Sequence, residues 1–364
     1  MRIFLAVSCL PSILLMIYVY KKDRVEKEPG KLLFLLFVLG AVSCLPAALL
    51  ENFFSGLYTS VFGNSGLHYS LYENFLNVAL FEELCKFLML FILTHKNKNF
   101  NSLFDGIVYS VFVSLGFATL ENMLYVYQYG VGTGLLRAVT AIPGHMFDGV
   151  LMGQFYGLWH LSKDISLTEK AYAKAGYIDT LVEPEKRYRY YLPLALIVPM
   201  LTHGLYDFLA SYGSVIAIII FVLYLIGLYI YCFMKINKIS KQDGYEINLI
   251  SAELNRKYPY LYGRLQQAAS YAGMTYTPFT SQTYSPYSPQ NNFSTPYQAY
   301  PGAQNTASMP QQQPYPLQQG AVPQQPPYQA PQSPYPPQQN PGVQQPNQYP
   351  QQGAGYDANR NPYQ

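Results

Sequence analysis

The sequence predicts an all-α fold, a polytopic membrane helix bundle of about seven transmembrane helices followed by a disordered C-terminal tail. Three observations support this prediction. Long apolar stretches fill the first 234 residues, Lys and Arg concentrate in alternate connections, and from about Lys257 the chain becomes rich in Pro, Gln and Tyr. The expected organisation is a membrane domain over residues 1–240, a basic juxtamembrane segment over 241–264 and a tail over 265–364.

Seven apolar stretches are long enough to cross a hydrocarbon core, which takes roughly 20 helical residues. They are residues 3–20, 32–50, 71–94, 103–127, 135–161, 190–211 and 214–234. The first is followed by "KKDRVEKEPGK" and not by a small-residue cleavage site, so it is expected to be an uncleaved anchor instead of a signal peptide. The chain is therefore predicted to be a multi-pass protein of the cell membrane.

The positions of Lys and Arg predict the orientation, because cytoplasmic connections carry an excess of both. With the N-terminus outside, 20 of the 23 Lys and Arg residues lie in inner connections or in the C-terminal segment. The exceptions are Arg2, Arg137 and Lys86, the last of which lies within a span. The C-terminus is then cytoplasmic. The net charge of +3 reflects this orientation, and no nucleic-acid partner is expected.

The segment from about Lys257 onward holds 20 of the 27 prolines and, after Arg264, only two charged residues. A segment of this composition cannot bury enough apolar surface to offset the entropy lost on ordering, which predicts disorder. Its Pro-rich stretches favour extended conformations suited to binding cytoplasmic partners. A solvated tail without a specific function is an equal alternative.

Ionisable residues divide the spans into two groups. The first, second and seventh contain no Asp, Glu, Lys or His within the limits above, whereas the third to sixth contain Glu82, Glu83, Lys86, Asp105, Glu121, His145, Asp148, His203 and Asp207. A charge at the centre of a membrane helix costs about 2.5 to 3.5 kcal/mol, and such groups normally face the bundle interior. The four spans are therefore expected to share a functional site.

Estimated depths support one polar layer in the outer half of the bilayer. At about 1.5 Å per residue, five groups lie between roughly 9 and 18 Å from the outer ends of their spans, namely Glu82, Glu83, Glu121, His145 and His203. Asp105 lies at the inner end of its span, where it is expected to cap the helix or to face the headgroups.

Helical spacing predicts two pairings within this layer. Lys86 follows Glu82 by four residues and Glu83 by three, so it is expected to neutralise one carboxylate, with Glu83 the less tightly held. His203 and Asp207 are four residues apart in "HGLYD" and share a face, as catalytic and metal-binding pairs do. The alternatives are a salt bridge that only lowers the cost of burial and a histidine that only stabilises packing.

The fifth span reads "AIPGHMFDGVLMGQFYG". Three glycines follow His145 at intervals of four residues and predict a face on which another helix packs closely, namely Gly149, Gly153 and Gly157. The Pro143-Gly144 pair is expected to distort the helix. Asp148 is expected to pair with Lys86 or to line a water-filled cleft, and a packing role for His145 is equally open.

A carboxylate and histidines at one depth support two kinds of hydrolysis. In one, a Glu takes a proton from water, the hydroxide attacks an amide carbonyl, and His or Asn side chains stabilise the oxyanion. In the other, His145, His203 and a carboxylate bind a metal such as zinc that activates the water. The sequence contains neither HExxH nor GxSxG, and its four cysteines form no CxxC pattern.

Four stretches carry a family resemblance: "FEELCK", "DGIVYSVFVSLGFATLENMLY", "PGHMFDG" and "HGLYDFL". They resemble the signature motifs of the PrsW family of intramembrane proteases, over approximately residues 1–235. That family is similar to the CAAX-processing and bacteriocin-processing membrane proteases, whose motifs are EExxxR, FxxxH and HxxxN or HxxxD. Here Lys86 comes one place before the Arg of those relatives, and Glu121 stands where their second motif has His.

The resemblance implies a peptidase of glutamic or metallo type that cuts a membrane-anchored protein, with a single-span anti-sigma factor as the expected substrate class. The bilayer and this substrate are the implied partners. Glu82 or Glu83 would activate water, and His145 and His203 would bind a metal or stabilise the oxyanion. The candidate catalytic residues are Glu82, Glu83, Glu121, His145, His203 and Asp207; the candidate metal ligands are His145, His203 and Glu121; and the supporting residues are Lys86, Asn122 and Asp148.

Two other functions fit the same polar residues. Intramembrane Glu, Asp and His chains also form proton pathways, so a proton-coupled transporter is one alternative. A catalytically inactive membrane scaffold that recruits partners through the tail is the other.

Overall fold

The computed structural model describes residues 2–182 and 184–271, all of which belong to one compact unit. Helices form its framework, and a single antiparallel bridge joins Ser102 to Tyr245 in this part of the chain. In order they are α1 (Arg2–Lys22), α2 (Gly30–Phe62), α3 (Gly66–Leu71), a π-helical segment (Tyr72–Ala79), α4 (Leu80–Thr94), α5 (Leu103–Tyr129), α6 (Val131–Val139), α7 (Ala141–Lys174), α8 (Tyr188–Ser211), α9 (Val215–Gln242), α10 (Glu246–Lys257) and α11 (Leu261–Tyr271). The predicted all-α class is confirmed for these residues.

Four of the described helices, α2, α5, α8 and α9, are long and apolar enough to cross a membrane. Their burial differs widely, since 83% of the most apolar window of α5 is buried but only 17% of that of α9. On α9, Ile216 is 71% and Leu223 is 64% exposed. Exposed apolar surface of this extent is typical of a membrane-contacting face. The count of seven spans goes beyond these four helices and stays a prediction.

Helix α5 is the centre of the bundle and packs against α1, α2, α4 and α7. Its N-terminus carries a reciprocal cap, in which the Asp105 backbone N–H donates to Ser102 Oγ at 3.3 Å and the Ser102 backbone N–H donates to Asp105 Oδ2 at 2.8 Å. Two otherwise unsatisfied donors are paired in this way. The capping role predicted for Asp105 is confirmed, and it lies far from Glu121 on the same helix.

The interface between α5 and α7 depends on glycine. A Cβ atom added to Gly106 would lie 2.6 Å from the backbone oxygen of Gly153, and one added to Gly157 would lie 2.6 Å from that of Leu103. Separations this short are not tolerated, so only glycine permits the two backbones to come so close. The glycine face predicted on the fifth span is confirmed, and it fixes His145 relative to α5.

The fifth predicted span is broken at Thr140, between α6 and α7. Pro143 therefore lies in the first turn of α7, where its missing N–H has no intrahelical partner to lose. The prediction that the Pro143-Gly144 pair distorts a continuous helix is wrong, because the helix begins there instead. Helix α7 also continues to Lys174, well beyond the predicted limit at residue 161.

The third predicted span is likewise composite. Its N-terminal part contains the π-helical segment, which leads directly into α4. Segments of π-helix are rare in proteins, and those that do occur are often found beside functional sites. Such a segment changes the direction in which the following side chains point. Glu82 and Glu83 lie in the first turn of α4, immediately after this change.

Beyond α9 the chain forms two short helices that pack beside the end of α7. Leu254, Tyr258 and Leu261 are buried there together with Ile178. The predicted tail begins at residue 265, and its residues 265–271 form the end of α11. Its remaining residues, 272–364, lie outside the described part of the chain.

Candidate active site

Three helices bring ionisable side chains together inside the bundle. Helix α4 supplies Glu82, Glu83 and Lys86, α7 supplies His145, and α8 supplies His203. All five are buried, with Glu83 and Lys86 fully enclosed. The sequence predicted that Glu82, Glu83, His145 and His203 share one layer, and in the structure they form one group of contacts with Lys86. We call this group, with Glu121 and Asp207, the charged cluster.

The Lys86 ammonium group lies at the centre of the charged cluster. It donates to Glu83 Oε1 at 2.8 Å and to Glu82 Oε2 at 3.0 Å, as spacings of three and four residues allow. It also lies 4.0 Å from the centroid of the Phe117 ring, a cation–π distance. Lys86 thus contacts both carboxylates. The expectation that Glu83 is the less tightly held is wrong, since its contact is the shorter.

His145 connects Lys86 to Glu121. The Lys86 ammonium donates to His145 Nδ1 at 3.1 Å, which makes Nδ1 an acceptor. The hydrogen of a neutral imidazole is then on Nε2, which donates to Glu121 Oε2 at 2.8 Å. This network fixes both the tautomer and the ring orientation, with Nδ1 directed towards the glutamates of α4.

Glu121 is paired with a residue that the sequence argument did not select. Arg137 Nη2 lies 2.6 Å from Glu121 Oε2, and the guanidinium stacks 3.7 Å from the centroid of the Tyr125 ring. Hydropathy assigns Arg137 to an outer connection, because it does not distinguish α6 as a separate helix packed on α5. Glu121 therefore lies behind His145 and accepts from its Nε2–H, and its role as a metal ligand stays a prediction.

His203 is held between carboxylates of two helices. Its Nδ1–H donates to Glu83 Oε1 at 2.8 Å. Its Nε2 lies 3.2 Å from Asp207 Oδ2, the partner predicted from the four-residue spacing, and 3.7 Å from Glu82 Oε2. The Asp207 side chain is 26% exposed, against 8% for Glu82 and 6% for His203. The cluster is thus most open to its surroundings on the Asp207 side.

Two supporting residues lie elsewhere than expected. Asp148 accepts a hydrogen bond from Thr202 Oγ1 at 2.6 Å and lies 4.0 Å from His203 Nδ1, so its closest contacts are with α8 and not with Lys86. Asn122 donates to the backbone oxygen of Val7 on α1 at 3.4 Å. Its side chain is therefore in contact with α1.

One further carboxylate borders the cluster. Glu51 on α2 is close enough to Glu82 and Glu121 to interact with them electrostatically. Glu51 is absent from the predicted site because the predicted second span ends at residue 50, whereas α2 continues to Phe62. Its signal was the position of a Glu one residue beyond the predicted end of an otherwise uncharged span.

The cluster contains donors suitable for a metal ion. One atom each from Glu82, Glu83, His145 and His203 lies within 4.8 Å of the others, and all four residues are buried. Imidazole nitrogen and carboxylate oxygen are common zinc donors. In addition, Glu83 Oε2 is buried and has no hydrogen-bond partner among the described residues. The donor set fits such an ion. It shares His145 and His203 with the predicted set and has Glu82 and Glu83 in place of Glu121.

Comparison with known proteins points to one family. Residues 28–234 match a family model described as PrsW family intramembrane metalloprotease. The chain is similar to the Protease PrsW of Clostridioides difficile strain 630, at 32% identity over 256 residues that cover 69% of this chain and 95% of the relative. It is also similar to the Protease PrsW of Bacillus subtilis strain 168, at 34% identity over 201 residues that cover 55% of this chain and 79% of the relative. The Protease PrsW of Oceanobacillus iheyensis is 30% identical over 231 residues, which cover 62% of this chain and 93% of the relative. No solved structure matches the chain.

Proposed function

The chain belongs to the PrsW family of intramembrane metalloproteases and is a multi-pass membrane peptidase, and from this premise we propose that the charged cluster is its active site. The observation that carries the proposal is the pair formed by Glu82 and His203. Their facing atoms, Oε2 and Nε2, are 3.7 Å apart beside the opening at Asp207. A water molecule and a substrate carbonyl placed at this opening would meet a base and a hydrogen-bond donor together.

Glu82 is the residue that we assign as the general base. It keeps some exposure, whereas Glu83 is fully enclosed and contacts both Lys86 and His203 through one oxygen atom. A base must reach the water whose proton it takes. Glu83 in contrast is suited to hold Lys86 and His203 in place, so the two adjacent glutamates have different roles.

The reaction is hydrolysis of an amide. Glu82 takes one proton from water while the water oxygen forms a bond to the carbonyl carbon. His203 Nε2–H, oriented by the Nδ1–H bond to Glu83, stabilises the negative charge that develops on the carbonyl oxygen. The C–N bond then breaks, and the proton held by Glu82 passes to the leaving nitrogen. Asp207 and Glu121 orient His203 and His145 respectively.

As an alternative to donation from His203 Nε2–H, a divalent ion held by Glu82, Glu83, His145 and a neutral His203 would supply Lewis-acid polarisation of the attacked carbonyl and of the water. The His145 tautomer is compatible with this donor set, because its Nδ1 faces the glutamates and its Nε2–H is bonded to Glu121. A carboxylate on the outer nitrogen is the usual way in which proteins orient a histidine ligand.

The proposed substrate is a membrane protein with a single span, and a single-span anti-sigma factor is the class that the family resemblance suggests. The cluster lies near the end of α5 and the start of α7, which is the outer half of the bilayer if the N-terminus is outside and the C-terminus cytoplasmic. Cleavage is then expected close to the extracytoplasmic side of the substrate.

The experiment is co-expression of the full chain with a tagged single-span substrate, using Glu82→Gln, Glu83→Gln and the matched control Glu73→Gln. Glu73 lies on the π-helical segment and is bonded to Ser55 and Asn77, outside the charged cluster. Removal of a general base typically costs about 10² to 10⁴ in rate. We expect cleavage to be lost in both cluster variants and retained in the control, with equal membrane insertion. Cleavage at the wild-type rate by Glu82→Gln would contradict the assignment.

A further inference from the structure

A second group of metal-type ligands lies away from the charged cluster. It consists of His160 and Asp164 on α7 and Glu246 at the start of α10. His160 follows His145 by 15 residues on the same helix, a distance of roughly 22 Å along the axis. The two groups share no residue, and the residues of this second group have no role in the proposed reaction. We call it the α7–α10 triad.

The local structure brings the triad together for identifiable reasons. His160 and Asp164 are four residues apart and therefore occupy one face of α7. Glu246 is placed by its own backbone N–H, which donates to the Asn101 oxygen at 2.7 Å. The His160 ring is stacked on Phe100 at 4.1 Å between centroids, with an interplanar angle of 19°. Both ends of the contact are thus held by neighbouring structure.

The donor atoms converge. One atom from each of the three residues lies within 4.8 Å of the other two. His160 Nδ1 is 3.1 Å from Glu246 Oε1 and 3.2 Å from Glu246 Oε2. The side chains of His160 and Glu246 are each 12% exposed, which shields the group but leaves access for a small ion. Lys163, the nearest cation in sequence, has its ammonium group over the Trp159 ring at 4.8 Å.

The chemistry of this donor set selects a class of ligand. Two carboxylates and one neutral imidazole carry a charge of −2, which a divalent cation would balance. An imidazole ligand favours zinc and its first-row neighbours, whereas Mg²⁺ and Ca²⁺ prefer oxygen ligands alone. Three protein ligands leave a fourth tetrahedral position for water, at an accessible site.

We propose that His160, Asp164 and Glu246 bind a divalent transition-metal ion, with Zn²⁺ as the representative, and that the ion fastens α10 to α7. The position of the triad gives it a structural role. Helix α10 begins directly at Glu246, and its buried Leu254 contributes to the apolar contact beside the end of α7. A bound ion would add a second, coordinate link at the start of the same helix.

The test counts bound zinc, so it does not depend on proteolysis. The full chain is purified in detergent, treated with a chelator, dialysed against buffered Zn²⁺ and analysed for zinc per chain. We expect His160→Ala, Asp164→Asn and Glu246→Gln each to bind one equivalent less than the wild type. Asp164→Asn is informative because it removes the negative charge of one ligand and leaves the His160–Glu246 contact in place. The difference between variants separates this ion from any ion held by the charged cluster.

Two matched controls are available. His95→Ala removes a histidine whose Nδ1 lies 2.7 Å from a backbone oxygen on its own helix, and Glu253→Gln removes an α10 carboxylate that pairs with Arg256. Both should keep the full zinc content. A Zn²⁺-dependent rise in unfolding temperature is expected in the wild type and in both controls, and a smaller rise in the triad variants. Equal zinc content in the wild type and all three triad variants would overturn the proposal and leave His160–Glu246 as an ion pair only.

Discussion

Two groups of buried acids in this protein are stabilised in different ways. In the charged cluster, the glutamates contact Lys86, His203, His145 and Arg137 at distances between 2.6 and 3.0 Å. At the far end of α5, four other carboxylates lie near one another without such partners, and we call them the acidic group: Asp23, Glu28, Asp105 and Asp243. Among the described residues, no ion pair joins these four to a cation.

In the acidic group, Asp23 and Glu28 are relieved by protonation near neutral pH instead of by an ion pair. Burial, with repulsion from Asp105, raises the pKa of Asp23 to about 7. Burial likewise raises the pKa of Glu28 to about 8, although the Tyr109 hydroxyl donates to its carboxylate. Both oxygen atoms of Asp23 are buried and accept no hydrogen bond of ordinary geometry from a described residue. A buried acid either acquires a cation or retains its proton. Only the first arrangement keeps a carboxylate ready to act as a base at neutral pH.

The largest effect is expected from removing the central cation of the charged cluster. Lys86→Met would leave Glu82 and Glu83 without their closest positive partner. Breaking a buried ion pair by removing one member costs about 3 to 5 kcal/mol, because an uncompensated charge stays buried. We expect a marked fall in the unfolding temperature in detergent and loss of proteolysis, while Lys96→Met, at an exposed position, should resemble the wild type.

The double variant Glu83→Gln with Lys86→Met sharpens this test. It removes one charge of each sign, so part of the stability lost in Lys86→Met should return while activity does not. A Lys86→Met protein as stable as the wild type would contradict the pairing argument.

A smaller effect is expected from Glu121→Gln, which keeps a hydrogen-bond acceptor for His145 but removes the charge that pairs with Arg137. Substitution of a residue that orients a catalytic or ligating histidine typically lowers activity or metal affinity about 10- to 100-fold. We expect kcat to fall in this range with KM nearly unchanged, and the unfolding temperature to fall less than in Lys86→Met, because Arg137 is partly exposed and keeps its contact with the Tyr125 ring. The matched control is again Glu73→Gln. A fall in unfolding temperature as large as that of Lys86→Met would indicate a structural role only.

Comparison of Lys86 with Glu121 shows which contacts the sequence could predict and which it could not. Spacing within one helix placed Lys86 beside both glutamates and His203 beside Asp207, because helical geometry is regular. The common depth of His145 and His203 followed from counting residues along spans. The pairing of Arg137 with Glu121, the approach of Glu51 to the cluster and the hydrogen bond from Thr202 to Asp148 depend on where helices begin, end and cross. A break at Thr140 and an extension of α2 beyond residue 50 decide them, and hydropathy alone does not fix such boundaries.

For the acidic group, unlike the charged cluster, removal of a charge is expected to raise the stability of the folded protein. The pKa values of Asp23 and Glu28 in the folded protein, about 7 and 8, lie above their reference values of 3.8 and 4.5. The folded protein therefore binds more protons than the unfolded chain between about pH 4 and pH 8, so this contribution to stability is greatest below pH 4 and is lost as the pH rises through 8. Asp23→Asn and Glu28→Gln should stabilise the protein at pH 8 by on the order of 1 to 3 kcal/mol and reduce the pH dependence.

Thermal unfolding in detergent from pH 5 to pH 9 measures this effect. Glu26→Gln is the control, since Glu26 is an exposed acid in the same connection between α1 and α2. Its carboxylate accepts a solvent-exposed hydrogen bond from Asn101. Its pH profile should match that of the wild type. If Asp23→Asn and Glu28→Gln both lowered stability at pH 8, the acidic group would have to be held by a cation, and the contrast with the charged cluster would be lost.

The smallest effect is expected from deleting residues 272–364, which leaves every helix of the described structure intact. Both carboxylate groups are built from residues before position 244, and the α7–α10 triad ends at Glu246. We therefore expect the rate of proteolysis of a purified substrate in detergent to change by less than about twofold. The free energy of unfolding across the pH profile should change by less than about 0.5 kcal/mol, as for changes away from packed contacts. A larger deletion that also removes α11 provides the comparison, because it exposes the apolar contact around Leu261. Loss of activity in the shorter deletion, with unfolding unchanged, would place the Pro-rich tail in the catalytic function.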